Sequence, residues 1–315
     1  MPDTYLITGG AGNLACQLSY DLVELQHRVV LMDVAEQPVT PPAPGCTYVR
    51  ADVTSATVLD KLFAEHRPNV ILHFASLLSG KSEEDRPLAW HVNMDGAFQM
   101  LEAAVRHDVR RFFFPSSIAS YGGELPDLVP ADCPQWPDGL YGVTKVAVER
   151  LGVYYHSRHG LDFRCIRVPI VISSFAHRGA ASAFASLAFI ETVHEGGFIF
   201  QVRPQASPAL IYIKDLLRAV IEIMDVPEQR LTRRVYNVQA LSPTAEKLAA
   251  AIQQRLPDAR IRFELDAQIA DLVDSWPVGF DDAAARHDWG WQSEFDLDTM
   301  ADDFVAHLQQ SAGLT

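Results

Sequence analysis

The sequence predicts an α/β protein with a Rossmann-type doubly wound parallel sheet, and three observations support this. Short apolar runs alternate with longer helix-patterned segments through the first half of the 315-residue chain, as expected for strands covered on both faces by crossover helices. The first run, residues 4–8, leads straight into glycines and then into a helix pattern. The second, residues 28–32, ends in Asp33, about 20 residues further on. Crossovers between such strands are right-handed.

The predicted elements divide the chain into two parts. Strands are expected at 4–8, 28–32, 47–50, 70–74, 111–115 and 162–168, and helices near 12–26, 55–66, 85–107 and 141–159. After Pro169 we expect a loop over 174–182, a helix over 183–195, strands at 198–202 and 210–213, a helix over 214–225, a strand at 234–238, a helix starting at Ser242-Pro243, and helices over 281–290 and 298–310. This predicts a domain over 1–169, to whose sheet 234–238 returns, and a smaller interleaved C-terminal lobe over 170–315.

The glycine turn fits the dinucleotide pattern G-x-G-x-x-G/A as Gly10-x-Gly12-x-x-Ala15. Gly10 would permit the tight turn, Gly12 would let the backbone approach a pyrophosphate, and Ala15 would keep the helix close to the strand. The helix N-terminus would face the phosphates. Asp33 would bind the ribose hydroxyls and repel a 2′-phosphate, so we expect NAD rather than NADP. The alternative is a glycine-rich turn followed by a solvated aspartate. We expect residues 1–169 to bind NAD and the later lobe mainly to bind substrate.

Tyr141 and Lys145 lie four residues apart, so a helix would present them on one face. Tyrosine ordinarily ionises near pH ~10, but a neighbouring ammonium and an oxidised nicotinamide ring would favour the phenolate. Tyr141 would then remove a hydroxyl proton while a hydride leaves the adjacent carbon, and Lys145 would also bind the nicotinamide ribose. Ser117, following the strand 111–115, would donate to the substrate oxygen. The alternatives are an exposed helix face and a turn serine.

Composition excludes several classes of function. The net charge is −14, and residues 264–303 hold twelve acidic residues and one arginine, so nucleic acid and anionic membranes are poor partners. We interpret this acidic stretch as solvated surface. No apolar run reaches the ~18 residues of a membrane span, and a strand starts too near Met1 for a signal peptide. The cysteines Cys16, Cys46, Cys133 and Cys165 are scattered, so we expect no metal site and a reduced, cytoplasmic protein.

Together these motifs resemble the extended short-chain dehydrogenase/reductase family. Its T-G-x-x-G-x-x-G pattern is matched by Thr8-Gly9-x-x-Gly12-x-x-Ala15, its Ser/Thr by Ser117, and its Y-x-x-x-K by Tyr141 and Lys145. The small Ala15 replaces the usual last glycine. The resemblance implies that the cofactor is bound by Gly9, Gly12, Asn13, Leu14, Asp33, Asp52, Val53, Phe74, Ala75, Ser76, Asn93, Tyr141, Lys145 and Pro169. Within this set, Asn93 matches a structural asparagine on the helix behind the site.

Other segments resemble the short-chain L-threonine 3-dehydrogenases, which oxidise L-threonine with NAD to 2-amino-3-oxobutyrate. These segments run from end to end of the chain: 77–81, 90–96, 115–119, 274–277 with 281–282, and 289–291. The resemblance implies that Ser79 and Gly80 meet the substrate carboxylate and that Trp276 closes the pocket, although sequence physics alone favours a core tryptophan. It also implies a homodimer through the helices near 85–107 and 141–159.

One loop departs from that family. Its members carry a Gly-Thr-Thr-Asp stretch whose threonine reaches the substrate, whereas residues 179–183 read Gly-Ala-Ala-Ser-Ala. Of these, Ser182 keeps a hydroxyl and would bind substrate in a less polar pocket. Arg178 in the same loop would pair with a substrate carboxylate or be solvated. The departure concerns the substrate, not the dehydrogenase chemistry.

Three functions are therefore compared. The first is NAD-dependent oxidation of L-threonine or a close β-hydroxy acid. The second is a nucleotide-sugar epimerase or dehydratase of the same superfamily, which the modest number of basic residues after Pro169 and the strongly acidic carboxy-terminal part disfavour. The third is a non-enzymatic NAD sensor, which would not need Ser117, Tyr141 and Lys145 together. Fold alone does not choose among them.

Overall fold

The computed structural model describes residues 2–176 and 180–313, and the chain divides into two compact units. Unit 1 comprises 1–123, 134–167 and 220–236, and unit 2 comprises 124–133, 168–219 and 237–315. The predicted Arg178 therefore lies outside the described residues.

Thirteen strands and twelve α-helices occur in the described residues. The strands are β1 (Thr4–Thr8), β2 (Arg28–Asp33), β3 (Thr47–Arg50), β4 (Val70–His73), β5 (Arg111–Ser117), β6 (Leu128–Val129), β7 (Asp162–Val168), β8 (Ile170–Ile172), β9 (Gly197–Phe200), β10 (Leu210–Tyr212), β11 (Val235–Asn237), β12 (Arg260–Phe263) and β13 (Gly279–Phe280). The helices are α1 (Asn13–Glu24), α2 (Ala56–His66), α3 (Ser79–Glu84), α4 (Arg86–Trp90), α5 (Ala97–Arg106), α6 (Leu140–His159), α7 (Phe184–Glu195), α8 (Ile213–Asp225), α9 (Ala245–Arg255), α10 (Ala267–Asp274), α11 (Ala283–Trp289) and α12 (Leu297–Ser311).

Unit 1 is built on a seven-stranded sheet of order β11-β7-β5-β4-β1-β2-β3. β1 pairs in parallel with both β2 and β4, and the outer pairs β2–β3 and β4–β5 are parallel too. The chain runs from β1 outward to β3 and then crosses to β4 on the other side, so the strand order reverses beside β1. Open α/β sheets bind ligands at such a point, beyond the carboxyl ends of the strands. The predicted doubly wound Rossmann-type fold is confirmed.

The core of unit 1 follows from the apolar strands. Fully buried residues of the central strands, among them Leu6, Ile71 and Phe112, pack in one cluster with residues of α2, α5 and α6 such as Phe63 and Leu101. Strands covered on both faces need continuous apolar runs, which is why these segments could be recognised in the sequence. The core holds β1, β4 and β5 side by side, and thereby positions the loops that follow them.

The long helix predicted over 85–107 is confirmed as a continuous helical run from Arg86 to Arg106, with a π-helical segment inside it. Asp85 ends α3 and caps α4 by accepting a hydrogen bond from the Leu88 backbone N–H at 3.0 Å. Between α4 and α5 the chain forms a π-helix over His91–Gly96. The apolar periodicity continues across all three pieces, so the sequence pattern does not reveal the changes of helix type. π-Helical turns are rare and often occur at functional sites.

Other boundaries differ for local reasons. β5 continues to Ser117, so Ser116 and Ser117 are its last residues and do not follow it. The helix predicted from Ser242-Pro243 begins at Ala245, because Thr244 is its N-cap and accepts a hydrogen bond from the Lys247 N–H at 3.2 Å. β8 and α10 were not predicted, since each is short and lies in a segment without clear periodicity.

In unit 2 the acidic stretch is more than solvated surface. Two of its residues cap helices: Asp266 at the start of α10 and Asp296 at the start of α12. Others pair with cations of the same unit, as Asp271 and Asp274 with Arg203, Asp303 with Lys214, and Asp302 with Arg255. The tryptophans of the Trp-Gly-Trp segment are buried, with ring centroids 5.6 Å apart. Most acidic residues of the stretch are nevertheless exposed, as predicted, and ion pairs at the surface add little to stability.

Gly9 offers a test of the turn that follows β1. Its φ is +69°, and an added Cβ would lie 2.8 Å from backbone atoms of Phe74 and Ala75. Gly123, in the same unit, has φ +74° and no neighbour within 4 Å of such a Cβ. Gly123→Ala should lower the free energy of unfolding by about 1–2 kcal/mol for the left-handed conformation. Gly9→Ala should lower the free energy of unfolding by about 1–3 kcal/mol more than Gly123→Ala does. The reason is that its added Cβ would overlap the backbone of Phe74 and Ala75. Equal costs in urea unfolding would contradict this account.

Candidate active site

The turn after β1 brings three backbone segments together at the switch point. The Gly10 N–H donates to the Met32 carbonyl oxygen at 2.9 Å, and the Gly12 N–H donates to that of Gly9 at 2.9 Å. An added Cβ at Gly10 would lie 2.6 Å from the Met32 nitrogen, so Gly10 allows close approach to β2. The tight turn requires positive φ at Gly9, and the role assigned to Gly10 from the sequence is corrected accordingly.

The first turn of α1 is open to an anion. Gly12 is its N-cap, no side chain caps the helix, and its first turn has no acidic residue. A Cβ at Gly12 would meet the Gly9 carbonyl oxygen at 3.1 Å and nothing else within 4 Å. Asn13 and Leu14 begin the helix, and the Asn13 carboxamide oxygen accepts from Gln17 at 2.8 Å. Free N–H groups in an open cradle fit the pyrophosphate of a dinucleotide.

Asp33 is held beside this cradle at the end of β2. Its Oδ2 accepts a hydrogen bond from the Ala11 N–H at 3.0 Å, and its Oδ1 accepts one from the Ala35 N–H at 2.9 Å. Each oxygen keeps a lone pair for a further donor. The carboxylate is therefore fixed in place and partly exposed, as a group that accepts from ribose hydroxyls must be.

Asp52 and Val53, the two predicted cofactor-binding residues after β3, differ in exposure. Asp52 is exposed and accepts from the Thr54 N–H and hydroxyl, both at 2.8 Å, just before α2. Val53 is buried with its side chain in the unit 1 core. Asp52 can therefore contact an adenine through its side chain, whereas Val53 can contact it only through its backbone.

The loop after β4 is fixed by two side chains. Thr8 Oγ1 accepts from the Ala75 N–H at 3.2 Å. Asn93, in the π-helix, accepts from the Leu77 N–H at 2.7 Å and donates to the Leu77 oxygen at 3.0 Å. Asn93 also donates to the Thr144 hydroxyl of α6 at 3.3 Å. Its side chain is occupied by protein groups, so it holds the Phe74-Ala75-Ser76 loop and α6 in place, which agrees with the structural asparagine inferred from the sequence.

Ser117, Tyr141 and Lys145 come together where the end of β5 meets α6. The Ser117 hydroxyl lies close enough to the Tyr141 phenol to lower the pKa of that group. Lys145 Nζ donates to the Pro115 carbonyl oxygen at 2.8 Å and lies 5.1 Å from the centroid of the Tyr141 ring. The predicted triad is therefore one cluster in unit 1, built from the last residues of a strand and one face of a helix.

Burial dominates the ionisation of this cluster. It raises the pKa of Tyr141 to about 12, and the nearby Ser117 hydroxyl offsets this in part. It lowers the pKa of Lys145 to about 8, against the attraction of Cys165 and Glu149. The phenolate expected from the sequence is thus not favoured by Lys145 alone in this structure. Desolvation disfavours both charged forms.

The remaining predicted residues are distributed between the two units. In unit 1, Ser79 and Gly80 are exposed in the first turn of the short helix α3. In unit 2, Pro169 is buried between β7 and β8, Ser182 is partly buried in a 3₁₀ turn before α7, and Trp276 is partly buried just after α10. Trp276 is therefore not a core tryptophan of unit 2.

A cleft of about 830 Å³ lies in unit 2 beside the Ser182 turn. Ala180 and Ala181 line its start, and α7 and α10 form its walls. Gln201, just after β9, and Arg260 and Arg262 of β12 contribute polar groups. The cleft therefore combines apolar walls with a few polar groups, as small-molecule sites do.

Sequence reasoning missed several residues that support the triad. Glu149 follows Lys145 by four residues on α6, is fully buried and accepts from Ser116 at 2.5 Å. Arg167 pairs with it at 2.8 Å. The helical spacing from Tyr141 through Lys145 to Glu149 was available as a signal, whereas the Arg167 partnership depends on the fold.

Among residues 2–176 and 180–313, no group of three or more histidine, cysteine, aspartate or glutamate side chains is arranged to hold a metal ion. In the same part of the chain, no helix is both long enough and apolar enough to cross a membrane.

Comparison with known proteins agrees with this geometry. Residues 5–238 match the model of the NAD dependent epimerase/dehydratase family. A mitochondrial L-threonine 3-dehydrogenase of Bos taurus is 36% identical over 296 residues, which cover 93% of this chain and 79% of that protein.

Two solved structures are similar along nearly the whole chain. The L-threonine dehydrogenase of Clostridium difficile superposes with a TM-score of 0.91 at 30% identity, covering 98% of both chains. The GalE-like L-threonine dehydrogenase of Cupriavidus necator, in its holo form, gives 0.90 at 31% identity, covering 97% of this chain and 99% of that one. The matched residues include the glycine turn and the Ser117–Tyr141–Lys145 cluster, and the chain is an enzyme that belongs to the NAD-dependent epimerase/dehydratase family.

Proposed function

We propose that this protein oxidises the hydroxyl of L-threonine, or of a close β-hydroxy acid, with NAD. The observation that carries the proposal is the cluster of Ser117, Tyr141 and Lys145, in a chain similar to L-threonine 3-dehydrogenases over nearly its whole length. A non-catalytic NAD sensor would not need these three groups in contact, so the cluster favours an enzyme.

In the proposed reaction the substrate hydroxyl binds between Ser117 and Tyr141. Ser117 donates a hydrogen bond that orients the substrate oxygen, and Tyr141 Oη accepts the hydroxyl proton. NAD, when bound, supplies the hydride acceptor and a positive charge near Tyr141. That charge, together with the Lys145 ammonium, opposes the burial that raises the pKa of Tyr141. Lys145 keeps two N–H donors beyond its bond to Pro115, which we assign to the nicotinamide ribose.

The substrate assignment rests on the residues that the resemblance implies. We propose that Ser79, Gly80, Arg178, Ser182 and Trp276 bind the substrate. Ala181 and the buried Ala183 flank Ser182 and offer no polar side chain. A less polar β-hydroxy acid would therefore compete with L-threonine better than it does in relatives that carry polar residues there.

We further propose a homodimer through α4, the π-helix, α5 and α6 of unit 1. Large apolar side chains are exposed on these elements: Leu88, Trp90, Phe98, Val143 and Tyr154. Trp90, Phe98 and Leu151 also line a groove of about 380 Å³. Exposed apolar surface of this kind on adjacent helices marks protein interaction sites. A cytoplasmic location stays a prediction from the scattered, unpaired cysteines.

Activity can be tested by NADH absorbance with a substrate panel. It should contain L-threonine, L-allo-threonine, L-serine, 3-hydroxybutyrate and nucleotide-sugars. We expect reduction of NAD with L-threonine or 3-hydroxybutyrate, with kcat/KM rising from neutral to alkaline pH because Tyr141 must lose its proton. Tyr141→Phe should lower kcat by about 10²–10⁴-fold while NAD still binds. Tyr154→Phe, an exposed tyrosine of the same helix, is the matched control. Turnover of nucleotide-sugars alone would favour the epimerase alternative.

Cofactor choice should depend on Asp33. The wild type is expected to bind NAD more tightly than NADP, because the fixed carboxylate repels a 2′-phosphate. Asp33→Asn removes the charge but keeps an acceptor, and Arg50, paired in register with residue 33 on β3, becomes available to the phosphate. The ratio of NAD to NADP affinities should fall by about tenfold or more, on the scale of one charged hydrogen bond. Tighter NADP binding by the wild type would refute the role of Asp33.

The dimer can be tested by light scattering. The wild type should have twice the mass of one chain, and Trp90→Lys with Phe98→Lys should give monomers, because two charges would be buried without partners. Trp136→Lys, at a tryptophan that is 72% exposed on another part of the chain, should leave the mass unchanged. A wild type that is monomeric at micromolar concentration would overturn the proposal.

A further inference from the structure

The end of β5 meets α6 at three consecutive residues. Pro115 accepts from Lys145 Nζ at 2.8 Å, Ser116 donates to Glu149 at 2.5 Å, and the Ser117 hydroxyl lies near the Tyr141 phenol. Residues 141, 145 and 149 are spaced by four and lie on one face of the helix. Two of these contacts involve the proposed catalytic groups Lys145 and Tyr141, and the third involves Glu149, which is not one of them.

Glu149 is held by more than Ser116. Arg167 donates from Nε to its Oε1 at 3.0 Å and from Nη2 to its Oε2 at 2.8 Å, and Gln135 donates to Oε2 at 3.1 Å. The Glu149 side chain is fully buried, and that of Arg167 is 3% exposed. A bidentate pair of this kind fixes both partners in one geometry. The carboxylate is therefore a rigid acceptor at the back of the strand end.

The Glu149–Arg167 pair also anchors Tyr121, which lies near the end of another segment of unit 1. Arg167 donates to the Tyr121 hydroxyl at 2.5 Å, and its guanidinium lies 4.9 Å from the centroid of that ring. Tyr121 and Gln135 lie on either side of 124–133, the segment assigned to unit 2, and Arg167 is the last residue of its own unit 1 segment. The path of the backbone from Pro115 to Tyr121 is thus anchored at Ser116 and again at Tyr121.

Stability alone does not explain this arrangement. A buried ion pair gains little over an apolar pair of similar size, because desolvation offsets the attraction. The Glu149–Arg167 pair instead supplies a carboxylate oxygen held in one place, which accepts the hydrogen bond from Ser116. Ser116 lies directly between Pro115, which binds Lys145, and Ser117, which lies near Tyr141, so a shift of Ser116 would move both catalytic contacts.

We propose that Glu149 and Arg167 are positioning residues that hold Ser117 and the Pro115 carbonyl in register with Tyr141 and Lys145 by anchoring Ser116. This inference rests on the proposed oxidoreductase function, since it assigns the pair a task within that site. The pair contacts neither substrate nor cofactor and acts through the backbone of β5.

Ser116→Ala tests the anchor without breaking the ion pair. Glu149 keeps its bonds to Arg167 and Gln135, and the strand end loses only its bond to Glu149. We expect kcat to fall about 10- to 100-fold, on the scale of small displacements at a catalytic group, with the NAD dissociation constant changed less than twofold. Ser116→Thr keeps the hydroxyl and should restore most of kcat.

Ser120→Ala is the matched control. Ser120 is fully buried in the same segment, and within the described residues its hydroxyl has no hydrogen-bond partner. This variant should leave kcat unchanged. If both alanine variants keep wild-type kcat, or if Ser116→Ala weakens NAD binding as much as turnover, the positioning role is refuted.

Hydrogen exchange of residues 115–121 gives a readout that needs no substrate. Ser116→Ala should increase exchange there, and Ser120→Ala should not. If the wild type turns over no member of the substrate panel, the proposed function fails, while the exchange measurement still decides whether Ser116 is anchored by Glu149. Equal exchange in wild type and Ser116→Ala would overturn the anchor itself.

Discussion

The close approach of α6 to the end of β5 is the constraint on which the proposed site depends. Any side chain at Gly142 would overlap the Ala119 carbonyl oxygen and the Pro137 ring, so α6 can lie this near only with glycine there. The approach removes Lys145 and Glu149 from water, at 4% and 0% exposure. Each must then find partners inside unit 1. The strand end supplies those partners, and the site follows from satisfying buried polar groups.

The same burial explains the ionisation of the site. Removing Tyr141 and Lys145 from water disfavours both of their charged forms, so the pKa of the phenol rises and that of the ammonium falls. The two pKa values are thereby moved apart, to about 12 for the phenol and about 8 for the ammonium. Burial alone therefore opposes the phenolate that the proposed reaction needs. The chemistry therefore depends on the packing of α6 as much as on the identity of the residues.

The sequence predicted the sheet of unit 1 well, because β1, β2, β4 and β5 are apolar on both faces. It also predicted which residues would form the reactive cluster, since Tyr141 and Lys145 share a helix face. It predicted the helix over 85–107, which Asp85 caps, but not the π-helical turn inside it, because that change of helix type leaves the periodicity intact. The pairing of Glu149 with Arg167 joins residues on α6 and β7, and no local pattern records such a contact. Short elements of unit 2 such as β8 were missed because they owe their form to tertiary pairing.

The π-helix also restricts how this chain can change in length. A π-turn holds one more residue than an α-turn, and each residue of an α-helix turns its axis by about 100°. Deleting one residue from 91–96 would convert the π-turn into a regular α-turn and leave α5 in phase with α4. Leu101 and Ala104, which are fully buried, would then stay in the core, whereas a deletion within α5 would turn the residues after it away from the core. A single-residue difference in length between homologues is therefore expected at 91–96 and not within α5.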